Sequence, residues 1–196
     1  EKGFMFSADG PLAMQMDPQS GLSAETVVNE FDEGQLGDIF RTLGEERAWR
    51  RIARAVVRAR SRGRIIRTGQ LADIIRAAVP GPHTIKSCAR VFQSLRIFVN
   101  DELRNLELFL PQALSALRPG GRLGVISFHS LEDRIVKEFI RNEADPCTCP
   151  PKLPFCVCGA VARLRPVGRL VVPSAAEVAA NPSARSARLR VAEKIV

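Results

Sequence analysis

Ser127 and His129 are the side chains best placed in the sequence to do chemistry, because they lie where a predicted strand ends and a helix begins. The run from Leu117 to Lys137 predicts a helix end, a Pro-Gly-Gly turn, a short apolar strand over 123–127 and a new helix. Ligands of open α/β sheets bind beyond the carboxyl ends of the strands. The hydroxyl and the imidazole are therefore candidates for a substrate pocket, with a purely structural cap on the turn as the alternative for His129.

The helix that follows this strand is predicted to be capped by Ser130. A hydroxyl at the N-cap and the Asp133 carboxylate three residues later would satisfy the first-turn amides. Apolar residues then recur at helical spacing, at Leu131, Ile135, Val136 and Phe139. The segment is predicted to be helix, strand, helix, which is typical of an α/β protein.

Four cysteines form a second group that could do chemistry, as the pairs Cys147/Cys149 and Cys156/Cys158. In a chain expected to be cytoplasmic, such thiols are reduced or bind a metal rather than forming disulfides. Four thiolates suit tetrahedral zinc, although structural zinc sites usually separate paired cysteines by two to four residues rather than one. Zinc and a proline-rich flap with reduced thiols are both left open. Cys88, in a predicted helix start, is expected in the core.

The elements that must position these groups begin with helices. Between Ser23 and Pro80 the apolar spacing predicts four, over 23–30, 36–43, 45–62 and 68–79. In the third, one stripe is predicted to pack inward and the arginines to face outward; the stripe consists of Trp49, Ile52, Ala53, Val56 and Val57.

The second half of the chain is predicted to alternate helices and strands. A long helical pattern over 87–117, which Pro111 must kink or divide, leads to the central strand. Two more strands are predicted at 163–172 and 186–195, with a short helix from Ser174 to Ala180 between them. Arg185, Arg188 and Arg190 could hold phosphate or the chain's own C-terminal carbonyls.

Positive charge is concentrated in the helical block. The chain has 29 basic and 21 acidic residues, a net charge of +8, yet between Arg41 and Arg76 the sequence has eleven arginines, three acids and no lysine. The planar guanidinium suits bidentate contact with phosphate. This block is therefore either an RNA-binding surface or a solvated helix face with Glu45 and Glu46 at a helix start.

The composition restricts the class of protein. With 45% hydrophobic and 26% charged residues the chain is expected to be globular. No uncharged apolar run approaches the roughly 20 residues that span a bilayer, and the N-terminus has no signal core. We expect a cytoplasmic protein with no membrane partner, and one that is not a complete gene product.

Five stretches together resemble one known family. The string ISFHSLEDRIVK over 126–137 looks like the signature of the bacterial 16S ribosomal RNA cytosine-N4 methyltransferases of the MraW type. Four other stretches agree with that family in order: Asp9 to Leu12, Gly44 to Arg47 with Arg51 to Val57, Phe92 to Asn100, and Asn181 to Arg190.

The resemblance implies an α/β fold: a partial doubly wound, Rossmann-like class I methyltransferase sheet with an inserted all-α domain. It assigns 1–22 to a substrate-side loop, 23–87 to the basic inserted domain, and 88–196 to the rest of the methyltransferase domain with a cysteine-rich flap at 145–160. The match covers the C-terminal two-thirds of the family. No G-x-G turn occurs in the sequence, so no residue of this chain is predicted to bind S-adenosylmethionine.

The resemblance also implies the reaction, which is S-adenosylmethionine-dependent methylation of N4 of a cytidine in 16S ribosomal RNA. Ser127, His129 and Asp9 are the predicted catalytic residues. Where the family shows Asp and Arg after Asp9-Gly10-Pro11-Leu12, this chain has Ala13 and Gln15. The predicted RNA-binding residues are Arg47, Arg50, Arg51, Arg54, Arg58, Arg96 and Asn100, of which Arg96 and Asn100 could equally tie helices together.

The expected partner is 16S ribosomal RNA or the small ribosomal subunit, with no DNA partner, and a homodimer is left open. The competing class is a non-catalytic RNA-binding or interaction module, in which arginine-rich helices stand on a remnant sheet.

Overall fold

The computed structural model describes residues 3–17, 19, 21–150, 155 and 157–196. The chain divides into two compact units, Glu1–Glu102 and Leu103–Val196. No helix in the described part is long and apolar enough to cross a membrane.

Five helices form the first unit, within the part of it that is described. They are α1 (Ala24–Glu30), α2 (Glu33–Thr42), α3 (Trp49–Arg60), α4 (Thr68–Ala78) and α5 (Thr84–Val99). Side chains that suit helix starts cap two of them: Ser23 accepts from the Thr26 amide, and Asp32 forms a capping box with Gln35. The four helices predicted from apolar spacing are confirmed, but α3 begins at Trp49 rather than Glu45, since Glu45 has a positive φ of 48°.

The core of the first unit collects the apolar faces of these helices. Ile52, Ala53 and Val56 of α3 are fully buried, and Trp49 and Val57 pack against the same cluster, so the predicted inward stripe is confirmed. Leu12 and Met14 also belong to this core, which anchors the irregular N-terminal segment against the helices.

The long helical pattern before the central strand breaks at Asn100 and Asp101 rather than at Pro111. Asp101 has a positive φ of 49°, and the Asn100 side-chain amide donates to the carbonyls of Arg96 and Met14. The bond to Arg96 closes the end of α5, and α6 (Glu102–Ala116) follows with Pro111 inside it. Pro111 therefore does not divide the pattern, and the alternative that it kinks the helix stays a prediction.

The second unit contains a three-stranded sheet. Its elements are β1 (Arg122–Ser127), α7 (Ser130–Ala144), β2 (Leu164–Pro166), α8 (Ala175–Ala180), a 3₁₀ turn (Pro182–Ser186) and β3 (Arg188–Lys194). The strand order is β1-β3-β2, and β3 is antiparallel to both neighbours. Strands β1 and β2 therefore run parallel to each other and are joined by the crossover helix α7.

One face of this sheet packs and the other is open. Leu123 of β1, Ala192 of β3 and Leu164 of β2 join Val136 and Ile140 of α7 in the core. Ile126, on the opposite face of β1, is 57% exposed. Of the predicted strand over 163–172 only Leu164–Pro166 and an isolated bridge at Val171 form.

The mixed α/β class is confirmed by these elements. The doubly wound, Rossmann-like sheet needs more parallel strands than the described residues form, and it stays a prediction. The domain boundaries after residues 22 and 87 also stay predictions.

Candidate functional site

The turn after β1 holds Ser127 and His129 in the second unit. Ser127 is 3% exposed, and its hydroxyl donates to the Arg188 carbonyl on the neighbouring strand at 3.4 Å. His129 has extended backbone and is the N-cap of α7, where its Nδ1 accepts from the Glu132 amide at 3.4 Å. Both predicted catalytic side chains therefore make local structural contacts at the end of the strand.

The capping pair of α7 lies one residue earlier than predicted. His129 and Glu132 form the capping box, and Ser130 is the first residue of the helix. The Glu132 carboxylate accepts from the amides of Phe128 and His129, at 2.8 and 3.3 Å. The predicted pair of Ser130 with Asp133 is wrong, because the same three-residue spacing also fits His129 with Glu132, and the longer Glu side chain reaches back to the turn.

Glu132 is thus a residue at this turn that the sequence interpretation missed. Its burial raises its pKa, but the nearby His129 side chain and the Phe128 amide lower it by more, so the net pKa lies below the usual range. His129 Nε2 lies 3.3 Å from the Glu132 carboxylate without a well-aligned hydrogen bond among the described residues. An imidazole that accepts at Nδ1 can donate from Nε2.

Asp133 instead ties the helix to the sheet. Its carboxylate accepts from Arg190 at 2.7 and 3.1 Å and from Arg188 at 3.0 Å, and the residue is only 5% exposed. Hydrogen bonding from Arg190 lowers the pKa of Asp133 more than burial raises it, and Arg188 lowers it further. Arg188 and Arg190 were predicted to hold either phosphate or the C-terminal carbonyls. In the structure they instead donate to Asp133, and this contact links β3 to α7.

Asp9 lies in the first unit, against the start of α4. Its carboxylate accepts from Arg67 Nε at 2.6 Å and from the Gly69 amide at 3.0 Å. The Arg67 guanidinium, and then the Gly69 amide, hold the pKa of Asp9 below its usual range. Thr68 fixes the same loop by donating to the Ala8 carbonyl and accepting from the Gly10 amide. A catalytic role for Asp9 stays a prediction, and the carboxylate it would use is ionised.

The arginines of α3 line a groove between α3 and α4, here called the α3 groove. Its volume is about 770 Å³. Its apolar lining residues, here called the floor, are Ala55, Ala59, Ile74, Ala77 and Ala78, and its arginines, here called the rim, are Arg50, Arg51, Arg54, Arg58 and Arg62. Guanidinium groups arranged along a groove can contact phosphates, and their planar faces can stack on bases.

The rim arginines differ in how they are held. Arg50 lies over the Trp49 ring at 4.4 Å, and Arg54 is 3.5 Å from Glu33. Arg51 and Arg58 are exposed on the groove. The structure thus brings four of the predicted RNA-binding residues together on one surface.

The other three predicted RNA-binding residues lie outside the α3 groove. Arg47 is exposed just before α3. Arg96 donates to both oxygens of the Glu102 carboxylate, at 2.8 and 3.0 Å, and Asn100 accepts from the Met16 amide at 2.7 Å. Arg96 and Asn100 make the contacts expected of residues that tie segments together, and their RNA-binding role stays a prediction.

Three of the four predicted metal ligands come together in the structure. The thiols of Cys147, Cys149 and Cys158 lie within 4.8 Å of one another. Cys156 lies outside the described residues.

Comparison with known proteins places these observations in a family. Residues 1–195 match the model of the MraW methylase family. The chain belongs to this family.

Curated relatives agree with the family match. A protein of Geobacter sulfurreducens is 54% identical over 199 residues, and proteins of Heliobacterium modesticaldum and Symbiobacterium thermophilum are each 51% identical over 202 residues. Each is called ribosomal RNA small subunit methyltransferase H, and each match covers 100% of this chain. The chain spans only 63–64% of the length of these relatives.

Proposed function

We propose that this chain is the substrate-side part of an S-adenosylmethionine-dependent methyltransferase that modifies N4 of a cytidine in small-subunit (16S) ribosomal RNA. The observation that carries the proposal is identity near 50% along the whole chain to ribosomal RNA small subunit methyltransferases. Such an enzyme would act in the cytoplasm, on the RNA or on the small subunit itself.

The α3 groove supports an RNA partner. Five arginines surround an apolar floor, so phosphates can pair with the rim while an unstacked base lies on the floor. The predicted absence of a DNA partner and the question of a homodimer stay open to experiment.

The cofactor site is proposed to lie mostly outside this chain. Among the described residues β1 pairs only with β3, and Ile126 on its open face and Phe128 just after it are 57% and 55% exposed. An unpaired edge with apolar neighbours is suited to further pairing. We propose that the sheet continues beyond β1 in a part of the protein that this chain does not span.

The reaction depends chiefly on positioning. The exocyclic amine loses one proton as it gains the methyl group, and that proton passes to water. S-adenosylmethionine, when bound, supplies an electrophilic methyl group to the exocyclic amine of cytosine, whose lone pair is delocalised into the ring. The protein must hold the amine in line with that methyl group. We propose that Ser127 and His129, at the end of β1, position the base, with His129 Nε2 as a hydrogen-bond donor, and that Asp9 orders the substrate-side loop.

A second candidate is a non-catalytic RNA-binding module. The observation that favours it is the arginine-lined α3 groove in a chain whose sequence has no G-x-G turn. This candidate predicts RNA binding but no methyl transfer under any reconstitution.

Reconstitution of methyl transfer tests the proposal. The N-terminal segment of the Geobacter sulfurreducens relative that has no counterpart here would be fused before Glu1, and N4-methylcytidine in unmodified small-subunit RNA would be measured by mass spectrometry. We expect cofactor-dependent formation of N4-methylcytidine. A folded fusion that binds S-adenosylmethionine and the RNA but leaves the RNA unmodified would contradict the proposal.

The same assay tests the residues at the turn. His129→Asn keeps a capping side chain but removes the Nε2 donor, so it is expected to lower turnover at least tenfold with RNA affinity unchanged. Unchanged turnover would assign His129 to the cap alone.

A further inference from the structure

We propose that the loop between α7 and β2 binds a zinc ion through the thiolates of Cys147, Cys149 and Cys158. The proposal depends on the placement of three sulfur atoms, and the function described above uses none of them.

The distances between the sulfurs fit a tetrahedral zinc site. Cys147 Sγ and Cys158 Sγ are 3.9 Å apart, and all three ligand atoms lie within 4.8 Å of one another. A Zn–S bond of about 2.3 Å in tetrahedral geometry puts sulfurs about 3.8 Å apart. A disulfide would require about 2.05 Å, so Cys147 and Cys158 are not bonded to each other, and their spacing leaves room for an ion between them.

The local backbone orients the cysteines. The Val157 amide donates to Cys149 Sγ at 3.4 Å, which fixes the position of this sulfur. Residues 145–148 are neither helical nor in a strand. In extended chain, residues i and i+2 point to the same side, so the one-residue spacing lets Cys147 and Cys149 approach one ion.

Hydrogen bonds between Glu143 and Arg163 bring together the two ends of the segment that carries the cysteines. The Arg163 amide donates to the Glu143 carbonyl at 2.8 Å, and the Arg163 side chain donates to the Glu143 carboxylate at 2.6 Å. These bonds bring the two ends of the loop together, so that 147–149 and 157–158 face each other.

Zinc is the metal that the donor set favours. Soft thiolates without carboxylates or imidazoles among them select zinc over magnesium or calcium. On binding, each cysteine gives its thiol proton to the buffer, so affinity falls as the pH is lowered. The sequence supplies a further thiol, Cys156, which lies outside the described residues.

Metal analysis of the whole chain tests the site. We expect about one zinc per chain after purification under reducing conditions, and the visible bands of tetrahedral thiolate-bound Co²⁺ on substitution with cobalt. Absence of zinc from a folded chain, or a Co²⁺ spectrum typical of octahedral oxygen ligands, would overturn the proposal whether or not any variant folds.

Cysteine variants add a matched comparison. Cys147→Ser and Cys158→Ser are expected to lower zinc content at least tenfold, whereas Cys88→Ala, which removes a buried thiol of α5, should leave it unchanged. Equal zinc in all three variants would show that these thiols do not hold the ion.

Discussion

Replacement of Asp133 by asparagine is expected to lower the free energy of unfolding by about 2–3 kcal/mol. The Asp133 side chain is 7% exposed and pairs with Arg190, whose side chain is 21% exposed, and with the more exposed Arg188. Asparagine keeps the shape but removes the charge, so it leaves two guanidinium groups without their anion. The cost is below that of a fully buried pair because water reaches both arginines.

The contribution of Asp133 should also depend on pH. Its pKa is lowered in the folded chain, chiefly by Arg190, so the stabilisation is fully present above the ordinary pKa of about 3.9. It is lost as the pH falls below that value and through the lowered pKa. The difference in stability between the original chain and the variant is therefore expected to be constant near neutral pH and to shrink in acid.

Urea unfolding followed by circular dichroism measures both effects. Glu138→Gln, an exposed change on the same helix, is the matched control and should change stability by less than about 0.5 kcal/mol. If Asp133→Asn were as stable as this control at neutral pH, the contacts of Asp133 with the two arginines would not hold α7 to β3.

Reversal of charge in the α3 groove should have the largest effect on RNA binding. Arg51→Glu combined with Arg58→Glu is expected to weaken binding of a single-stranded fragment of small-subunit RNA at least tenfold. Both residues are exposed on the groove, and neither belongs to the core. The slope of log affinity against log salt should become shallower by about 1.4, since each phosphate contact contributes about 0.7 on a single strand.

Fluorescence anisotropy over a salt series gives both quantities. The control, Arg118→Glu with Arg169→Glu, makes the same change in net charge at exposed positions of the second unit. We expect the control to keep most of the affinity. An equal loss in both double variants would mean that RNA responds to net charge and not to the α3 groove.

Helices and strands were predictable where one period dominates the sequence. The stripe of α3 is an example: Ile52, Ala53 and Val56 recur at helical spacing, and all three are buried. The arginines between them were therefore predicted to face outward. The α3 groove itself, whose floor includes Ile74 and Ala77 of α4, could not be predicted, because it depends on how two helices pack.

Caps and ion pairs between distant residues were harder to predict. The spacing at His129 and Glu132 repeats at Ser130 and Asp133, so the sequence alone could not separate the two registers. Asp133 pairs with Arg188 and Arg190, which lie more than fifty residues away in the sequence. The pairing of β3 with β1 in the sheet places these arginines beside Asp133.

The burial of Glu46 was also not predictable from the sequence. The sequence placed it at an exposed helix start, whereas it is 3% exposed, accepts from the Ala48 amide and lies 3.7 Å from Arg90 of α5. Nothing local in the sequence indicates that the segment before α3 turns inward.

Calorimetric titration of S-adenosylmethionine into the 196-residue chain tests the central claim most directly. We propose that this chain carries the RNA-binding side of a methyltransferase and that most of the cofactor site lies outside this chain. We predict no saturable binding to the chain while circular dichroism shows it to be folded, and saturable binding to the full-length Geobacter sulfurreducens relative in parallel. Saturable binding to this chain alone would contradict the account, since the chain would then form the cofactor site itself.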